Sequence, residues 1–459
     1  MAARLRNRKQ SAYSSPTVVL ILLLLLLVFS LYITISHQLF SSSPVPHLFP
    51  SVTSPPIELA EPSSCDPDIA PFYIVQLPPS FNTDLVSSCR SLSPFTDMCP
   101  HVSNRGLGRE IPPSASWHAT HQFLAELIFH ARAELHPCRT FHPSSAELFL
   151  LPFYAGLYAS SQFSQRNITL RDSLALRFAS FLPMLPSWPR RRGHDHFLVI
   201  GRTAWDFMRS PPPTTDFGAN PLLLLPETQN LSVLTVERHP WHGRNQFAVP
   251  YPSYFHPSSA SEVTAWSAAV LASPRTHLFA FVGGARPPAV EKAAARAEIL
   301  RQCAASPTRC LQIECRPDDP TQCYKPDRVL AVLRRAEFCL QPPGDSFTRR
   351  SVFDAVLAGC VPVFFSEHTA YTQYRWYAPA SPEDWSVFIG PDRWGRILEE
   401  LDRIPKPVVA QLRARVVDMI PRVTYAHPNA SRRDLGFRDA VDVALVELTK
   451  FVRSNVSEV

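Results

Sequence analysis

Two adjacent arginines, Arg349 and Arg350, stand between two apolar runs and are followed one helical turn later by a carboxylate, Asp354. The flanking pattern predicts a strand at 338–341, a helix at 348–358 and a strand at 361–365. The free N–H groups of a helix's first turn bind phosphate, and guanidinium groups beside them stabilise a departing diphosphate. Asp354 is suited to sugar hydroxyls such as those of a ribose.

A second interpretation places the two arginines on a solvated helix face, with Asp354 in an ion pair with Arg350. In either case Ser346 or Thr348 is placed to cap the helix. Taken alone, the motif does not decide between the two interpretations.

A second loop, Gly283-Gly284-Ala285-Arg286, follows a strand predicted at 278–282. Two glycines at the carboxyl end of a strand permit a ligand to approach the backbone closely. Arg286 is long enough to reach a phosphate there. An ordinary turn explains the glycines equally well.

The elements that would position these loops alternate between strands and helices, which is typical of an α/β fold with parallel sheets. In the first half, the pattern predicts a helix at 116–136 and strands at 72–77, 148–153, 197–200 and 222–225. The second half adds predicted helices at 291–303 and 327–336. The Pro- and Ser-rich segment 250–273 is predicted to connect the two halves, and helices are predicted beyond Pro405.

Length and composition exclude several classes of protein. A chain of 459 residues is long enough for two domains, and Lys plus Arg exceed Asp plus Glu by only 45 to 39. The longest basic run, 190–192, fits a solvated loop, so no nucleic-acid partner is predicted. Gly-x-Ser-x-Gly, Walker and Gly-x-Gly-x-x-Gly patterns do not occur, which removes further enzyme classes.

The N-terminal residues predict a membrane anchor. A basic segment precedes the apolar run 17–35, which has the length of a bilayer span. The positive-inside rule then predicts a cytosolic tail at 1–16, a transmembrane signal anchor at 17–35 and a Pro- and Ser-rich stalk at 36–68, with the rest of the chain in the lumen. A cleaved signal peptide is the competing interpretation.

Glycosylation sequons and cysteines fit a lumenal route. The Asn-x-Ser/Thr sequons begin at Asn167, Asn230, Asn429 and Asn455. Disulfides rather than zinc ligands are predicted for cysteines that are close in sequence: Cys89 with Cys99, and the cluster Cys303, Cys310, Cys315 and Cys323. Cys339 and Cys360 lie in apolar runs and are predicted to be buried thiols.

Two short motifs have the residue types of a metal site. Asp66-Pro67-Asp68 has the spacing found in metal-dependent transferases, but it precedes the first strand, which argues against that role. His194 and His196 have no third ligand in register and are interpreted as structural. No metal and no other cofactor is therefore predicted.

Taken together, the motifs resemble those of the exostosin-like glycosyltransferases of plants, glycosyltransferase family 47, and most of all the branch with the xyloglucan galactosyltransferases. They occur in the family's order over roughly residues 70 to 450. The matching segments are LPPSFN at 77–82, PFYAG at 152–156, DHF at 195–197, GRTAWDF at 201–207, YPSYFHP at 251–257, FAFVGGARP at 279–287, DSFTRRSVFDAVLAGCVP at 345–362 and AYTQY at 370–374.

The resemblance implies a GT-B type α/β fold, in which two Rossmann-like domains face a cleft, and an inverting transfer from a UDP-sugar. The implied divisions are an acceptor-side domain at 69–257, a nucleotide-sugar domain at 258–410 and C-terminal helices at 411–459. Donor contacts carried over to matching positions are Arg286, Ser346, Arg349, Arg350 and Asp354. Gly283, Gly284 and Thr348 complete the predicted donor site.

An inverting transfer needs a base that accepts the proton of the acceptor hydroxyl. Asp206, Glu237 and His256 are candidates, as is His121, because each lies in a motif of the first half near a predicted strand end. The alternative role of each is a hydrogen bond that fixes a loop or the core. Two roles are open for four tryptophans, stacking on a sugar ring or packing between domains: Trp117, Trp205, Trp241 and Trp376.

The expected function is transfer of a sugar, most simply galactose, from a UDP-sugar to the side chains of a wall polysaccharide, most simply xyloglucan. Expected partners are these two substrates, the Golgi membrane through a type II anchor, and other Golgi glycosyltransferases in a complex. Pro342-Pro343 and Glu367-His368 depart from the galactosyltransferase pattern, so galacturonic acid and arabinose stay open as donor sugars. A scaffold that kept the fold but lost activity is the non-enzymatic alternative.

Overall fold

The computed structural model describes residues 65–112, 114–210, 218–316, 323–430 and 435–455. The predicted cytosolic tail, the signal anchor and the stalk up to residue 64 lie outside these ranges. Of the chain's two units, Met1–Glu61 and Pro62–Val459, the described residues all belong to the second. Among the helices of these ranges, none combines the length and the apolar character that a membrane crossing requires.

The first half contains a five-stranded sheet in the order β1-β4-β5-β6-β7, with every neighbouring pair parallel. Its elements are β1 (Phe72–Ile74), α1 (Thr83–Ser87), α2 (Cys99–Val102), β2 (Glu110–Ile111), β3 (Ser114–His118), α3 (Ala125–Glu134), β4 (Leu148–Leu151), α4 (Ala155–Ser161), α5 (Ile168–Phe181), α6 (Trp188–Arg191), β5 (His196–Thr203), β6 (Ser232–Glu237) and β7 (Gln246–Ala248). Alternate residues of its strands enter different hydrophobic clusters: Phe197 and Val199 one, Leu198 and Ile200 the other. Both faces of the sheet are therefore covered.

The second half contains another five-stranded parallel sheet, in the order β12-β11-β10-β8-β9. Its elements are α7 (Ala260–Ala272), β8 (His277–Gly283), α8 (Ala295–Ala305), β9 (Cys310–Glu314), α9 (Pro326–Leu333), β10 (Ala336–Gln341), α10 (Arg350–Leu357), β11 (Val361–Phe364), β12 (Val387–Phe388), α11 (Ile397–Asp402), α12 (Lys406–Asp418), α13 (Ile420–Val423) and α14 (Ala440–Asn455). The α/β fold with parallel sheets that the sequence predicts is confirmed.

The strand order of the second sheet reverses beside β8. The chain passes from β8 to β9 on one side and then crosses to β10 on the other side. At such a switch point the loops that follow the two central strands run apart and leave a crevice at the carboxyl edge of the sheet. The loops after β8 and β10 are the two that the sequence marks as phosphate-binding.

The end of the chain returns to the first half. Asp439 lies 3.2 Å from Arg132 of α3, and Asp442 of α14 lies 2.8 Å from His136. Arg438 also contacts the start of the described chain. It forms ion pairs with the two carboxylates of the Asp-x-Asp motif, Asp66 at 2.9 Å and Asp68 at 2.6 Å.

Several predicted elements are wrong. The helix predicted at 116–136 begins only at Ala125, because Ser114–His118 pairs with β2 and Trp117 bridges to Phe255. The strand predicted at 222–225 is the short 3-10 helix Leu222–Leu224, since a proline on either side leaves too few residues for strand pairing. The prediction also missed β6, β7 and β9.

Ten cysteines form five disulfides: Cys65–Cys138, Cys89–Cys99, Cys303–Cys310, Cys315–Cys323 and Cys339–Cys360. The prediction of disulfides for the cysteines close in sequence is confirmed. The prediction of buried thiols at Cys339 and Cys360 is wrong, although both residues are buried. Strands β10 and β11 are neighbours in the sheet, which brings the two Cα atoms to 5.7 Å.

The structural role predicted for the histidines of the second metal-like motif is confirmed for His196. His196 is buried and makes hydrogen bonds of 2.8 Å to Ser187 and 2.7 Å to Asp195. His194, in contrast, is exposed.

Candidate functional site

A cleft of about 620 Å³ lies between the two sheets, at the carboxyl ends of β5, β8 and β10. All eight residues that the sequence predicts for the donor line it: Gly283, Gly284, Arg286, Ser346, Thr348, Arg349, Arg350 and Asp354. Asp206 enters it from the first half. The strand order thus gathers two loops that are about 60 residues apart in the sequence into one site.

The glycines after β8 are required by close packing. A Cβ atom on Gly284 would lie 2.3 Å from the carbonyl oxygen of Cys315. The loop therefore runs directly over the end of β9 and carries Arg286 toward β10. There the guanidinium group of Arg286 binds both carboxylate oxygens of Asp345, at 2.8 and 2.9 Å. Asp345 itself is 74% exposed, so its carboxylate is open to exchange with another anion.

Arg349 has a guanidinium group that is only partly satisfied. Its Nε donates to the carbonyl oxygen of Pro342 at 3.1 Å. Its Nη2 is buried and has no hydrogen-bond partner among the described residues. Gly344 makes this position possible, because a Cβ atom there would lie 1.5 Å from Nη2. Burial and the neighbouring charge of Arg286 lower the pKa of Arg349 to about 10.

Arg350 and Asp354 form the ion pair that the second interpretation foresaw, with Nε and Oδ2 3.3 Å apart. The pair is buried rather than solvated. Arg350 also donates to the carbonyl oxygen of Thr120 at 3.2 Å and to the hydroxyl of Tyr254, and the hydroxyl of Ser253 donates to Asp354 at 2.6 Å. Helix α10 is therefore fastened to the first half along one wall of the cleft.

Glu237 and His256 lie outside the residues that line the cleft. The buried carboxylate of Glu237 accepts hydrogen bonds from Trp205, Phe347 and Thr348, all at 3.3 Å or less. His256 is held between the hydroxyl of Thr120 and the carbonyl oxygen of Tyr425, both at 2.8 Å, and burial lowers its pKa to about 3. Each side chain fixes a loop or the core.

Asp206 differs from these two residues. It lies in the 3-10 helix Ala204–Phe207, directly after β5. Its Oδ2 accepts hydrogen bonds from Arg202 at 2.8 Å and Thr203 at 3.2 Å. Within the described part of the chain, no hydrogen bond is made by its Oδ1. A carboxylate held through one oxygen and open at the other has the geometry of a general base.

His121 is the fourth candidate base. It lies next to Gln122 and Phe123, which line the cleft, but its own side chain is outside the lining. Burial, with a contribution from the nearby His101, lowers its pKa to about 3. A histidine with so low a pKa is a weak proton acceptor near neutral pH.

Comparison with known proteins agrees with this geometry. The family described as the Exostosin GT47 domain matches residues 70–400. The chain belongs to this family. The GT47 chain is 52% identical over 396 residues to the Arabidopsis thaliana protein named "Probable xyloglucan galactosyltransferase GT17". This alignment covers 86% of this chain and 85% of that protein. It is therefore a glycosyltransferase of the xyloglucan galactosyltransferase group.

Two further relatives of the GT47 chain are also from Arabidopsis thaliana. "Xyloglucan galactosyltransferase MUR3" is 39% identical over 402 residues, 84% of this chain and 63% of that protein. "Xyloglucan-specific galacturonosyltransferase 1" is 35% identical over 393 residues, 84% of this chain and 57% of that protein. A solved glycosyltransferase from Rickettsia africae aligns over 73% of this chain and 96% of its own with a TM-score of 0.35 and 6% identity, too little to bear on the fold.

Two buried residues that support the site in this GT47 chain were not predicted from the sequence. Arg296 of α8 donates to the carbonyl oxygens of Gly284 and Pro343, both at 2.7 Å, and so joins the two loops that the sequence predicts for the donor. Burial, with smaller contributions from Arg349 and Arg286, lowers its pKa to about 8. The available signal was an arginine near the start of the Ala-rich helix that follows the Gly-Gly loop.

Glu126 of α3 supports the opposite wall. Its carboxylate accepts N–H groups from Gly156 at 2.9 Å, Leu157 at 2.7 Å and Gly201 at 3.1 Å. It thereby joins the start of α4 to the end of β5, just before Arg202 and Asp206. Burial raises the pKa of Glu126 to about 7. An acid within an apolar helical pattern was the available signal.

Proposed function

We propose that this chain is an inverting glycosyltransferase of the GT-B type, which transfers galactose from UDP-galactose to the side chains of xyloglucan. The observation that carries the proposal is the charge arrangement at the switch point. Arg286, Arg296 and Arg349 surround one carboxylate, Asp345, and Arg349 has a buried N–H group without a partner among the described residues. A nucleoside diphosphate supplies the missing negative charge and the missing acceptor.

The diphosphate is assigned to Arg286 and Arg349, with the hydroxyl of Ser346 beside them. In the sequence interpretation Arg350 held the phosphate and Asp354 the ribose. The polar atoms of these two side chains are already bonded to each other and to Thr120, Ser253 and Tyr254, so their part is to hold α10 against the first half. Asp345 gives up part of its contact with Arg286 when the diphosphate binds.

The reaction then needs one proton transfer and one bond exchange. Oδ1 of Asp206 accepts the proton of the acceptor hydroxyl, whose oxygen attacks the anomeric carbon on the face opposite UDP. The bond between that carbon and the diphosphate oxygen breaks, and the configuration inverts. The negative charge that develops on the leaving UDP is stabilised by the guanidinium groups of Arg286 and Arg349.

A neutral donor sugar fits this wall of the cleft better than galacturonic acid. Arg202 is the cation nearest to Asp206, and its Nε is bound by that carboxylate at 2.8 Å. Its Nη1 donates to the hydroxyl of Ser160 at 3.1 Å. To bind Arg202, a sugar carboxylate would have to displace Asp206. The relatives named xyloglucan galactosyltransferases support the same choice.

The site of action proposed is the Golgi lumen, with the chain held by a type II anchor at 17–35. Five disulfides within the described ranges fit an oxidising compartment, and the sequon residues Asn167 and Asn429 are exposed. Protease treatment of sealed microsomes should leave the region beyond residue 40 intact. Digestion of that region from outside would refute the orientation.

The function is tested by incubating the purified full-length chain with a galactose-free xyloglucan oligosaccharide and, separately, UDP-galactose, UDP-galacturonic acid or UDP-arabinose. We expect a product one hexose heavier with UDP-galactose, and NMR should show a β-linked galactose, because the donor is the α-anomer. Preferred transfer from another donor would correct the sugar. Absence of transfer from all three donors together with absence of UDP binding would favour the inactive scaffold.

A further inference from the structure

A second cavity, of about 500 Å³, lies beside the cleft in the first half of the chain and shares one wall with it, the side chain of Trp205. Among the described residues that line this second cavity there is no Asp, Glu, Lys or Arg. Leu223 and Leu224 supply apolar surface, and Gln229 and Asn245 supply amide groups. The cavity therefore adjoins the cleft at Trp205 and, among its described lining residues, differs from the cleft in having no carboxylate, lysine or arginine.

The indole ring of Trp241 contacts two rings that line this cavity, those of Trp205 and His239, and is 61% exposed. It makes edge contacts with Trp205 at 6.1 Å in the first half and with Phe347 at 6.0 Å and His368 at 5.3 Å in the second half, measured between ring centroids. Phe347 precedes the donor residues Thr348 and Arg349. The indole ring therefore bridges the two halves of the protein next to the proposed site of transfer.

The aromatic group is held in place before any ligand arrives. Trp205 donates its indole N–H to Glu237 at 3.0 Å, and His239 stacks on Trp205 with the ring centroids 4.0 Å apart. The turn after Trp241 depends on Gly243, which has φ +80°, and a Cβ atom there would lie 2.2 Å from the side chain of Gln246. A ring that is both exposed and fixed binds at a small cost in conformational entropy.

One of the two imidazoles at this wall, that of His239, is uncharged near neutral pH. Burial, followed by the charges of His242 and Arg238, lowers the pKa of His239 to about 4. An acidic ligand would find no Lys or Arg among the described lining residues, whereas a ligand with hydroxyl groups and flat C–H faces matches the amides and the rings. A chain of neutral sugars has that chemistry.

We infer that Trp241, Trp205 and the cavity behind them form a subsite for a neutral glycan chain, whose sugar rings stack on Trp241 while a neighbouring sugar reaches Asp206. The inference rests on the proposed function, because it makes the glycan the acceptor. Binding of the glycan can nevertheless be measured without turnover. Among the four tryptophans, this assigns the sugar-stacking role to Trp241 and Trp205.

The other two tryptophans pack within the protein. Trp117 lies against Trp266 with ring centroids 4.6 Å apart, and Trp376 stacks on Phe247 at 4.5 Å. They have no place in the subsite.

The test is calorimetric titration of the full-length chain with a xyloglucan oligosaccharide, with cellotetraose and with an oligogalacturonide of similar length. Trp241→Ala should weaken binding of the xyloglucan oligosaccharide by about ten-fold or more, the scale of a truncated aromatic anchor. Trp241→Phe keeps a ring and should stay within about three-fold of the wild type. Phe141→Ala is the matched control, because Phe141 is 71% exposed and its ring packs against Arg139, which lines neither cavity.

UDP affinity should be unchanged in all three variants, and the oligogalacturonide should bind least. The subsite is refuted if Trp241→Ala binds the neutral glycans within two-fold of the wild type, if Phe141→Ala loses as much affinity, or if the wild type binds the oligogalacturonide alone. Glycan binding that depends on Trp241 in a chain that neither binds UDP nor transfers sugar would support the subsite and refute the proposed function. If Trp241→Ala transferred sugar from UDP-galactose to the xyloglucan oligosaccharide with unchanged kinetics, the proposed function would be supported and the subsite refuted.

Discussion

Glu237 at the end of β6 accepts two hydrogen bonds from Thr348, one from its N–H group at 2.8 Å and one from its hydroxyl at 2.5 Å. The two residues are separated by 111 positions and belong to opposite halves of the protein. The other oxygen of Glu237 accepts the indole N–H of Trp205 and the N–H of Phe347. One buried carboxylate thus positions the donor loop and the proposed acceptor platform together.

Replacing this carboxylate should impair donor binding without removing a base. In Glu237→Gln the amide keeps one acceptor oxygen, but its NH₂ group opposes an N–H donor of the loop or the indole. We expect kcat/KM for UDP-galactose to fall by about ten-fold, the scale of about 1–3 kcal/mol for an unsatisfied buried group. The shape of the pH–rate profile should be retained, which kinetic assays over a range of pH will show.

A different result would restore Glu237 as a candidate base. A fall in kcat of more than a thousand-fold with unchanged UDP affinity, together with loss of the acid limb of the pH–rate profile, would show that it takes the proton itself. Thr348→Val is the matched variant, because it removes only the hydroxyl that donates to Glu237. It should cause a smaller loss of the same kind.

Asp206→Asn should remove the base and leave the donor site intact. General base catalysis contributes about 10²- to 10⁴-fold, so kcat should fall within that range. UDP affinity should stay within two-fold of the wild type, since Asp206 is assigned to the acceptor. Steady-state kinetics and UDP titration measure the two quantities. Retention of more than a tenth of the wild-type kcat would exclude this assignment.

Transfer should not require a metal ion. The guanidinium groups of Arg286 and Arg349 supply positive charge at the proposed diphosphate site, the role that a divalent cation serves in metal-dependent transferases. Activity measured after dialysis against EDTA should therefore equal that of the untreated chain. Loss of activity that Mn²⁺ restores would overturn this expectation.

The disulfide between β10 and β11 should contribute to stability. Cys339 and Cys360 close a loop of 21 residues, so replacing both by Ala should cost about 3 kcal/mol in the free energy of unfolding. Urea denaturation measures the change, with the double Ala variant of Cys89 and Cys99 as the comparison at the surface. Alkylation of Cys339 and Cys360 in the unreduced, denatured chain would show instead that both are free thiols.

The two loops proposed to bind the donor could be predicted from the sequence because their signals are local. Glycines after a buried strand and arginines at the start of a helix are recognisable within a few residues, and the cleft brings those residues together. The sequence also predicted the ion pair between Arg350 and Asp354, because the two residues are one helical turn apart. The sequence did not show whether this ion pair is exposed to solvent or packed against the first half of the protein. Burial of the pair depends on Thr120, Ser253 and Tyr254, which are far away in the chain.

The parts that were missed depend on contacts across the fold. The disulfide of Cys339 and Cys360 follows from the pairing of β10 with β11, and strand β3 pairs with β2 and is bridged to the distant Phe255 through Trp117. Nothing in the sequence next to Arg296 distinguishes it from a surface arginine of α8 such as Arg301. Only the two loops folded over it, those of Gly284 and Pro343, make it part of the site.

The central claim is that the cleft between the sheets binds UDP through Arg349, and calorimetric titration of UDP tests it most directly. Arg349→Ala removes the guanidinium group that lacks a partner and should weaken binding by about ten-fold or more, the scale of a hydrogen bond to a charged group. Gly344→Ala should have a similar effect, because its Cβ atom would displace that group. Arg301→Ala, on the exposed face of α8, should bind UDP like the wild type. UDP affinity in Arg349→Ala equal to that of the wild type would contradict the account.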